Sequence, residues 1–219
     1  MPFTAIPVFP RRLFSQSQLW VHPDSGIWHP RELVGKKVAL SSFQTTLSLL
    51  AKGDLKFHYG VPWEDIHWLL TKGEKVEFST KPGVRLEFIG GRENLGQMLE
   101  QRRIDAFFLP HPPHSVMSGE TRARRLFEDC RAEETAYYRR HGDFPIMHVV
   151  VIRTPLLEQE PWLARAVLDL FERAKRLVEA GRAEADRLAA DARLDRARRA
   201  LHDDPPLVDH DAPVGEGVG

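Results

Sequence analysis

Along most of the chain, short apolar runs alternate with stretches in which apolar residues recur at helical spacing. The runs predict strands over residues 18–21, 37–40, 66–70, 84–88, 105–109 and 147–152. The helical spacing predicts a short turn over residues 30–33, a helix over 46–58, a helix that begins near residue 95, and a helix over 161–178. In the last of these the residues expected to face inward are Leu163, Val167, Phe171, Ala174 and Leu177. Strands that alternate with helices in this way predict an α/β fold with a largely parallel sheet.

The pattern changes near residue 181, where large apolar residues become rare. Residues 181–203 form a run of Ala, Arg, Asp and Glu, which predicts a charged helical extension. Residues 204–219 are rich in Pro, Gly and Asp, a composition that predicts a disordered tail. The predicted organisation is therefore one α/β domain over residues 1–180, followed by the extension and the tail.

Charge and composition narrow the classes of function. Lys plus Arg equals Asp plus Glu at 31 each, and the arginine pairs have acids close by, so we expect no nucleic-acid partner. The single cysteine, Cys130, excludes a disulfide within the chain. The N-terminus lacks a secretory pattern, and no stretch approaches the ~20 apolar residues of a membrane span. We therefore expect a cytoplasmic protein with no membrane partner.

The first candidate site follows the predicted strand 37–40, where Ser41, Ser42, Phe43, Gln44, Thr45 and Thr46 lead directly into a helix. A helix N-terminus offers free N–H groups to an anion such as a carboxylate, and ligands of α/β sheets bind at the carboxyl ends of strands. The alternative is that the Ser and Thr residues only cap the helix. The sequence leaves both interpretations open.

His111 and His114 lie in a proline-rich loop after the strand 105–109, and either imidazole is a candidate proton donor. A third candidate, His148, lies near the start of the apolar run 147–152. The alternatives are an exposed loop histidine and a buried core histidine. A metal site would need three or four ligands, yet only His111 and His114 are close in sequence, so we predict none. Arg12 is a candidate carboxylate clamp or an ordinary surface arginine.

Several motifs resemble a known family. The segments DSGI and ELVGKKVAL (residues 24–40) and QRRIDAFFLP (101–110) are similar to patterns of the periplasmic-binding-protein type II fold. The segments AIPVFPRRLF (5–14), FQTT (43–46), RLFED (125–129), FPIMHVVVIR (144–153), PWL (161–163) and FERAK (171–175) resemble the 4,5-dihydroxyphthalate decarboxylase family. The resemblance covers about residues 4–178.

The resemblance implies two lobes with a ligand cleft between them and non-oxidative loss of CO2 from a hydroxylated aromatic dicarboxylate, with no cofactor. On that basis Arg12, Ser42, Phe43, Gln44, Thr45 and Thr46 are expected to bind the substrate. His111 or His148 is expected to be the catalytic acid. The alternatives are a solute-binding module for a small organic anion and an inactive shortened relative.

The chain also departs from the family pattern. Ser15, Gln16 and Ser17 replace an Arg-His-Ser element, Ser41 and Ser42 replace a Pro-Glu pair, and His111 replaces a common arginine. The family carries a further segment before residue 5 and an aromatic-rich C-terminal segment, so we expect an incomplete first lobe and truncation at both ends. An uncovered sheet edge favours association, which makes a homo-oligomer an expected partner beside a small organic acid.

Overall fold

The structure is a computed structural model that describes residues 2–188, and side chains as far as residue 181. The predicted tail, and the part of the charged extension beyond residue 188, lie outside the described residues. No helix among residues 2–188 is long and apolar enough to cross a membrane.

The described chain has ten strands and six α-helices besides short 3-10 turns. The strands are β1 (Phe3–Ala5), β2 (Arg11–Arg12), β3 (Leu19–Val21), β4 (Lys37–Leu40), β5 (His67–Leu70), β6 (Arg85–Phe88), β7 (Ala106–Phe108), β8 (Arg124–Arg125), β9 (Ile146–His148) and β10 (Val151–Arg153). The helices are α1 (Thr46–Phe57), α2 (Leu95–Glu100), α3 (His114–Met117), α4 (Cys130–His141), α5 (Thr154–Gln159) and α6 (Leu163–Leu188).

The chain divides into two compact units. The larger unit, Phe9–Val150, contains a six-stranded sheet in the order β6-β5-β4-β7-β3-β8. Strands β6, β5, β4 and β7 are parallel to one another, whereas β3 runs antiparallel to both β7 and β8. A second, two-stranded sheet pairs β2 with β9. The predicted α/β class with a mostly parallel sheet is therefore confirmed.

Both faces of the large sheet are buried. Val38 and Leu40 pack on the face covered by Ala51 and Leu55 of α1, while Ala39 between them packs on the opposite face against α2. The same alternation continues in β5 and β7, where Trp68 and Phe107 are fully buried on opposite faces. Strands buried on both faces show as continuous apolar runs, which is why the sequence pattern locates them.

The smaller unit consists of residues 2–8 with residues 151–188 and holds the antiparallel pair of β1 and β10 together with α5 and α6. The prediction of one buried strand over residues 147–152 is wrong: β9 pairs with β2 in the larger unit, and β10 pairs with β1 in the smaller one. Val149 and Val151 are 43 and 47% exposed, because each two- or three-residue pairing covers little surface.

Helix α6 begins two residues later than predicted and runs through residue 180, where the sequence suggested a boundary. The predicted inward face is only half-buried at Leu163 and Val167, and it is exposed at Phe171, Ala174 and Leu177. This part of the prediction is wrong for the described unit, in which no element covers the later turns of the apolar stripe. The amphipathic pattern predicts the helix correctly but not what covers it.

Candidate functional site

A cavity of about 410 Å³ lies in the larger unit, next to the carboxyl ends of β4 and β7. Its volume is in the range of small-molecule sites. The lining comes from three places: the β4–α1 junction, the end of β7, and the β2–β9 pair. The lining residues are Arg11, Leu13, Ser41, Gln44, Thr45, Thr46, Leu47, Ser48, Phe108, Pro110, Met147 and His148.

The start of α1 forms one wall of the cavity. Thr45 is the N-cap, and its Oγ1 accepts a hydrogen bond from the Ser48 N–H at 3.3 Å. Ser48 Oγ in turn donates to the Ser42 carbonyl at 2.7 Å. The N–H groups of Thr46 and Leu47, in the first turn, have no intrahelical acceptor. One hydroxyl therefore caps the helix, and two backbone donors remain for an anion, so the two interpretations of this segment are compatible.

Phe43 is held in place from three sides. Its N–H donates to Glu74 Oε1, and its carbonyl accepts from Lys52 Nζ at 2.7 Å. The ring is buried, with Lys52 Nζ at 3.1 Å from its centroid and the Phe78 ring stacked at 5.5 Å. Burial lowers the pKa of Lys52 to about 8, although the nearby Glu74 carboxylate acts in the opposite direction. Phe43 and Ser42 thus shape the loop without lining the cavity.

Gln44 lines the cavity, but its amide nitrogen is already bound. Gln44 Nε2 donates to the Val76 carbonyl at 2.7 Å and to Glu74 Oε2 at 3.2 Å. Glu74 therefore holds two consecutive residues of the loop. Sequence reasoning missed Glu74 and Lys52 as parts of this site, since neither belongs to a motif there.

Arg11, not Arg12, lines the cavity. Arg11 lies opposite His148 in the β2–β9 pair, and both side chains line the cavity. Arg12, the next residue, is not part of the lining. Its guanidinium is exposed and lies 5.5 Å from the Phe9 ring centroid. The two-residue strand β2 offers no alternation from which Arg11 could have been chosen.

His111 contacts Arg11 but does not line the cavity itself. Arg11 Nη1 lies 3.1 Å from His111 Nε2. A guanidinium can only donate, so His111 Nε2 accepts and the ring proton is on Nδ1 in this arrangement. His114, the other histidine of that loop, has a side chain that is 88% exposed.

Four of the predicted site residues therefore lie around one cavity: Gln44, Thr45, Thr46 and His148. Arg12, Ser42, Phe43 and His111 lie outside its lining, and their roles in binding or catalysis remain predictions. Within the described part of the chain, no three His, Cys, Asp or Glu side chains are grouped closely enough to hold a metal ion.

Two curated proteins are similar to this chain in sequence. The chain is 33% identical over 180 residues to 4,5-dihydroxyphthalate decarboxylase of Comamonas testosteroni, over 80% of this chain and 54% of that protein. It is 26% identical over 144 residues to 4,5-dihydroxyphthalate decarboxylase of Pseudomonas putida, over 63% of this chain and 56% of that protein. The chain is a relative of the 4,5-dihydroxyphthalate decarboxylases. The predicted resemblance is confirmed, and the chain spans about half the length of these relatives. No family model matches it.

Comparison with solved structures supports the fold. The periplasmic aliphatic sulphonate binding protein SsuA from Escherichia coli matches with a TM-score of 0.52 at 17% identity, over 86% of this chain and 53% of that chain. At this identity the match shows the fold alone. The predicted fold class, a periplasmic-binding-protein type II-like α/β fold, is confirmed, and the chain shares this fold with a binding protein.

Proposed function

We propose that this protein removes CO2 non-oxidatively from a hydroxylated aromatic carboxylate such as 4,5-dihydroxyphthalate. The observation that carries the proposal is the convergence, around one cavity, of a free helix N-terminus, Arg11 and His148. These groups supply anion binding and a proton donor, which are the two requirements of the reaction. The names of the two relatives give the substrate class.

The carboxylate is bound at the start of α1. The Thr46 and Leu47 N–H groups and the positive end of the helix dipole favour an anion there. Arg11, which also lines the cavity, donates to the same ligand through its guanidinium. His111 is a positioning residue in this scheme, since its Nε2 accepts from Arg11 Nη1 and limits the orientations of the guanidinium.

His148 is the proposed acid, because it is the predicted histidine that lines the cavity. Its imidazolium transfers a proton to the ring carbon that bears the leaving carboxylate, and a ring hydroxyl para to that carbon stabilises the resulting cation. The bond from ring carbon to carboxylate then breaks, its electron pair restores aromaticity, and CO2 departs. Nothing is oxidised or reduced, so the proton donor and the binding groups balance the reaction by themselves.

The test measures CO2 release from 4,5-dihydroxyphthalate by the purified chain, and compares Arg11→Met with the matched control Arg12→Met. Loss of a charge-assisted hydrogen bond costs about 1.5–3 kcal/mol, so Arg11→Met should lower kcat/KM about 10- to 100-fold. Arg12→Met should change it less than about twofold, because the Arg12 side chain is exposed and lies outside the cavity. Equal losses in both variants would refute the assigned geometry.

The acid is tested in the same assay by His148→Asn against His114→Asn. We expect His148→Asn to lower kcat by about 100-fold or more with little change in KM, and His114→Asn to leave both unchanged. Full turnover by His148→Asn would remove it as the acid. A folded wild-type chain that binds the acid without releasing CO2 would instead support a solute-binding module.

A further inference from the structure

The hydrogen bonds of Gln44 fix which of its amide atoms is available to a ligand. The amide nitrogen has two N–H groups, and both have partners, the Val76 carbonyl at 2.7 Å and Glu74 Oε2 at 3.2 Å. A carbonyl oxygen can only accept, and so can an ionised carboxylate. The opposite orientation of the amide would set Gln44 Oε1 against two acceptors, so the network determines the orientation.

Glu74 strengthens this assignment. Its other carboxylate oxygen, Oε1, accepts from the Phe43 N–H, so both oxygens act as acceptors toward the loop. Glu74 therefore fixes the polarity of Gln44 as well as its position. Among the described residues, no donor contacts Gln44 Oε1, although the residue lines the cavity. The group that Gln44 can offer to a ligand is an acceptor.

An acceptor at this position repels a carboxylate and binds a hydroxyl. We propose that Gln44 determines specificity by accepting a hydrogen bond from a ring hydroxyl of the bound acid, while the start of α1 and Arg11 bind its carboxylate. Gln44 would then distinguish a hydroxylated aromatic acid from an unsubstituted one. This inference rests on the proposed function and assigns Gln44 a role opposite to the carboxylate binding expected from the sequence.

The two kinds of group occupy neighbouring positions of one segment. The donors belong to Thr46 and Leu47 in the first turn of α1, and the acceptor belongs to Gln44, two residues before the helix. One rigid ring that carries a carboxylate and a hydroxyl on different carbons can contact both. The loop is pre-organised for this, because Lys52 and Glu74 hold the peptide groups of Phe43.

The experiment is calorimetric titration of the full chain with phthalate, 4,5-dihydroxyphthalate and 4,5-dimethoxyphthalate, for the wild type, Gln44→Met and the control Gln97→Met. The methoxy compound keeps the oxygens but cannot donate, and Gln97 is an exposed glutamine of α2 outside the cavity lining. We expect the wild type and Gln97→Met to bind the dihydroxy acid about 10-fold or more tighter than the other two. In Gln44→Met this ratio should fall to about twofold.

The ratio of affinities separates specificity from damage to the loop, because a general distortion weakens all three ligands alike. An unchanged ratio in Gln44→Met, or no preference for hydroxyls in the wild type, would overturn the inference even if CO2 is released. A ratio that depends on Gln44 in a protein that releases no CO2 would support the inference and refute the decarboxylase. If none of the three acids binds, both the carboxylate site and the role of Gln44 are refuted.

Discussion

Lys52 provides a quantitative test of how the binding loop is held. The residue is 5% exposed, and its ammonium group donates to the Phe43 carbonyl and lies over the Phe43 ring. Burial lowers its pKa from the ordinary 10.5 to about 8. The perturbation is Lys52→Met, which keeps most of the apolar stem and removes the charge together with the hydrogen bond to the loop.

Proton linkage determines in which direction the stability changes with pH. The folded-state pKa of Lys52 is depressed, so between about pH 8 and pH 10.5 the unfolded chain binds more protons than the folded one. The free energy of unfolding therefore rises with pH across this window, while below it the full cost of burying the charge is present. At 1.36 kcal/mol per pKa unit, about 1.5 units between pH 8 and pH 9.5 give an upper bound of ~2 kcal/mol. Residual solvent screening reduces this to about 1 kcal/mol.

The assay is urea unfolding at about pH 7 and about pH 9.5 for the wild type, Lys52→Met and the control Lys36→Met, which removes an exposed lysine. Titrating groups that the three proteins share contribute equally to each free energy of unfolding, so they cancel when two proteins are compared. The stability of the wild type relative to Lys52→Met should increase by about 1 kcal/mol between the two pH values, and that relative to Lys36→Met should stay constant. A constant difference for Lys52→Met would mean that the Lys52 ammonium is not desolvated in the fold, and the account of the loop would fail.

Two further predictions concern packing and the buried polar network. Gly96→Ala should destabilise the protein by about 1–3 kcal/mol in thermal unfolding, because the new Cβ would lie 2.5 Å from Ser115 Oγ. Gly53→Ala in α1, where a Cβ meets nothing within 4 Å, should instead stabilise it by up to ~1 kcal/mol, and similar losses in both would contradict the packing argument. Tyr137→Phe removes a hydrogen bond to the buried Asp54, and desolvation raises the pKa of that carboxyl group. This substitution should lower the free energy of unfolding by about 1–3 kcal/mol at neutral pH, and by less in acid, where Asp54 is protonated. A loss of stability that does not depend on pH would show that the carboxylate is not involved.

The sequence predicts the centre of the large sheet well and its margins poorly. Strands β4, β5 and β7 are buried on both faces and so appear as apolar runs, and Gly60 followed by Pro62 marks the end of α1. Helix α4 was not predicted, because it carries charged residues all round and Tyr137 is its buried residue. Strand β8 has two arginines and lacks an apolar signal. The local pattern also does not show which strands pair. Strands β9 and β10 are separate because they pair with β2 and β1, which are distant in sequence.

The candidate site shows the same limit. The sequence identifies the β4–α1 junction, since a strand, a Ser/Thr-rich loop and a helix follow one another directly. It does not identify Lys52 and Glu74, whose contacts to Phe43 span 9 and 31 residues. Nor does residue type show that the amide of Gln44 offers its oxygen, because that depends on Glu74 and Val76. Chemistry set by distant contacts becomes visible only in three dimensions.

The charges around the cavity bear on which carboxylate would leave. Among the described lining residues Arg11 is the one Lys or Arg, and the start of α1 adds the equivalent of about half a charge. Lys52 and Glu74 carry opposite charges and both contact Phe43, so together they add little net charge. With the proposed His148 imidazolium, the positive charge around the cavity is about two and a half, more than the two charges of a dicarboxylate. On the proposed function, the carboxylate that contacts Arg11 and the helix is retained, and the other is the less stabilised. The proton that His148 donates cancels the charge of this carboxylate as CO2 leaves, so about one and a half positive charges remain to bind the single carboxylate of the product.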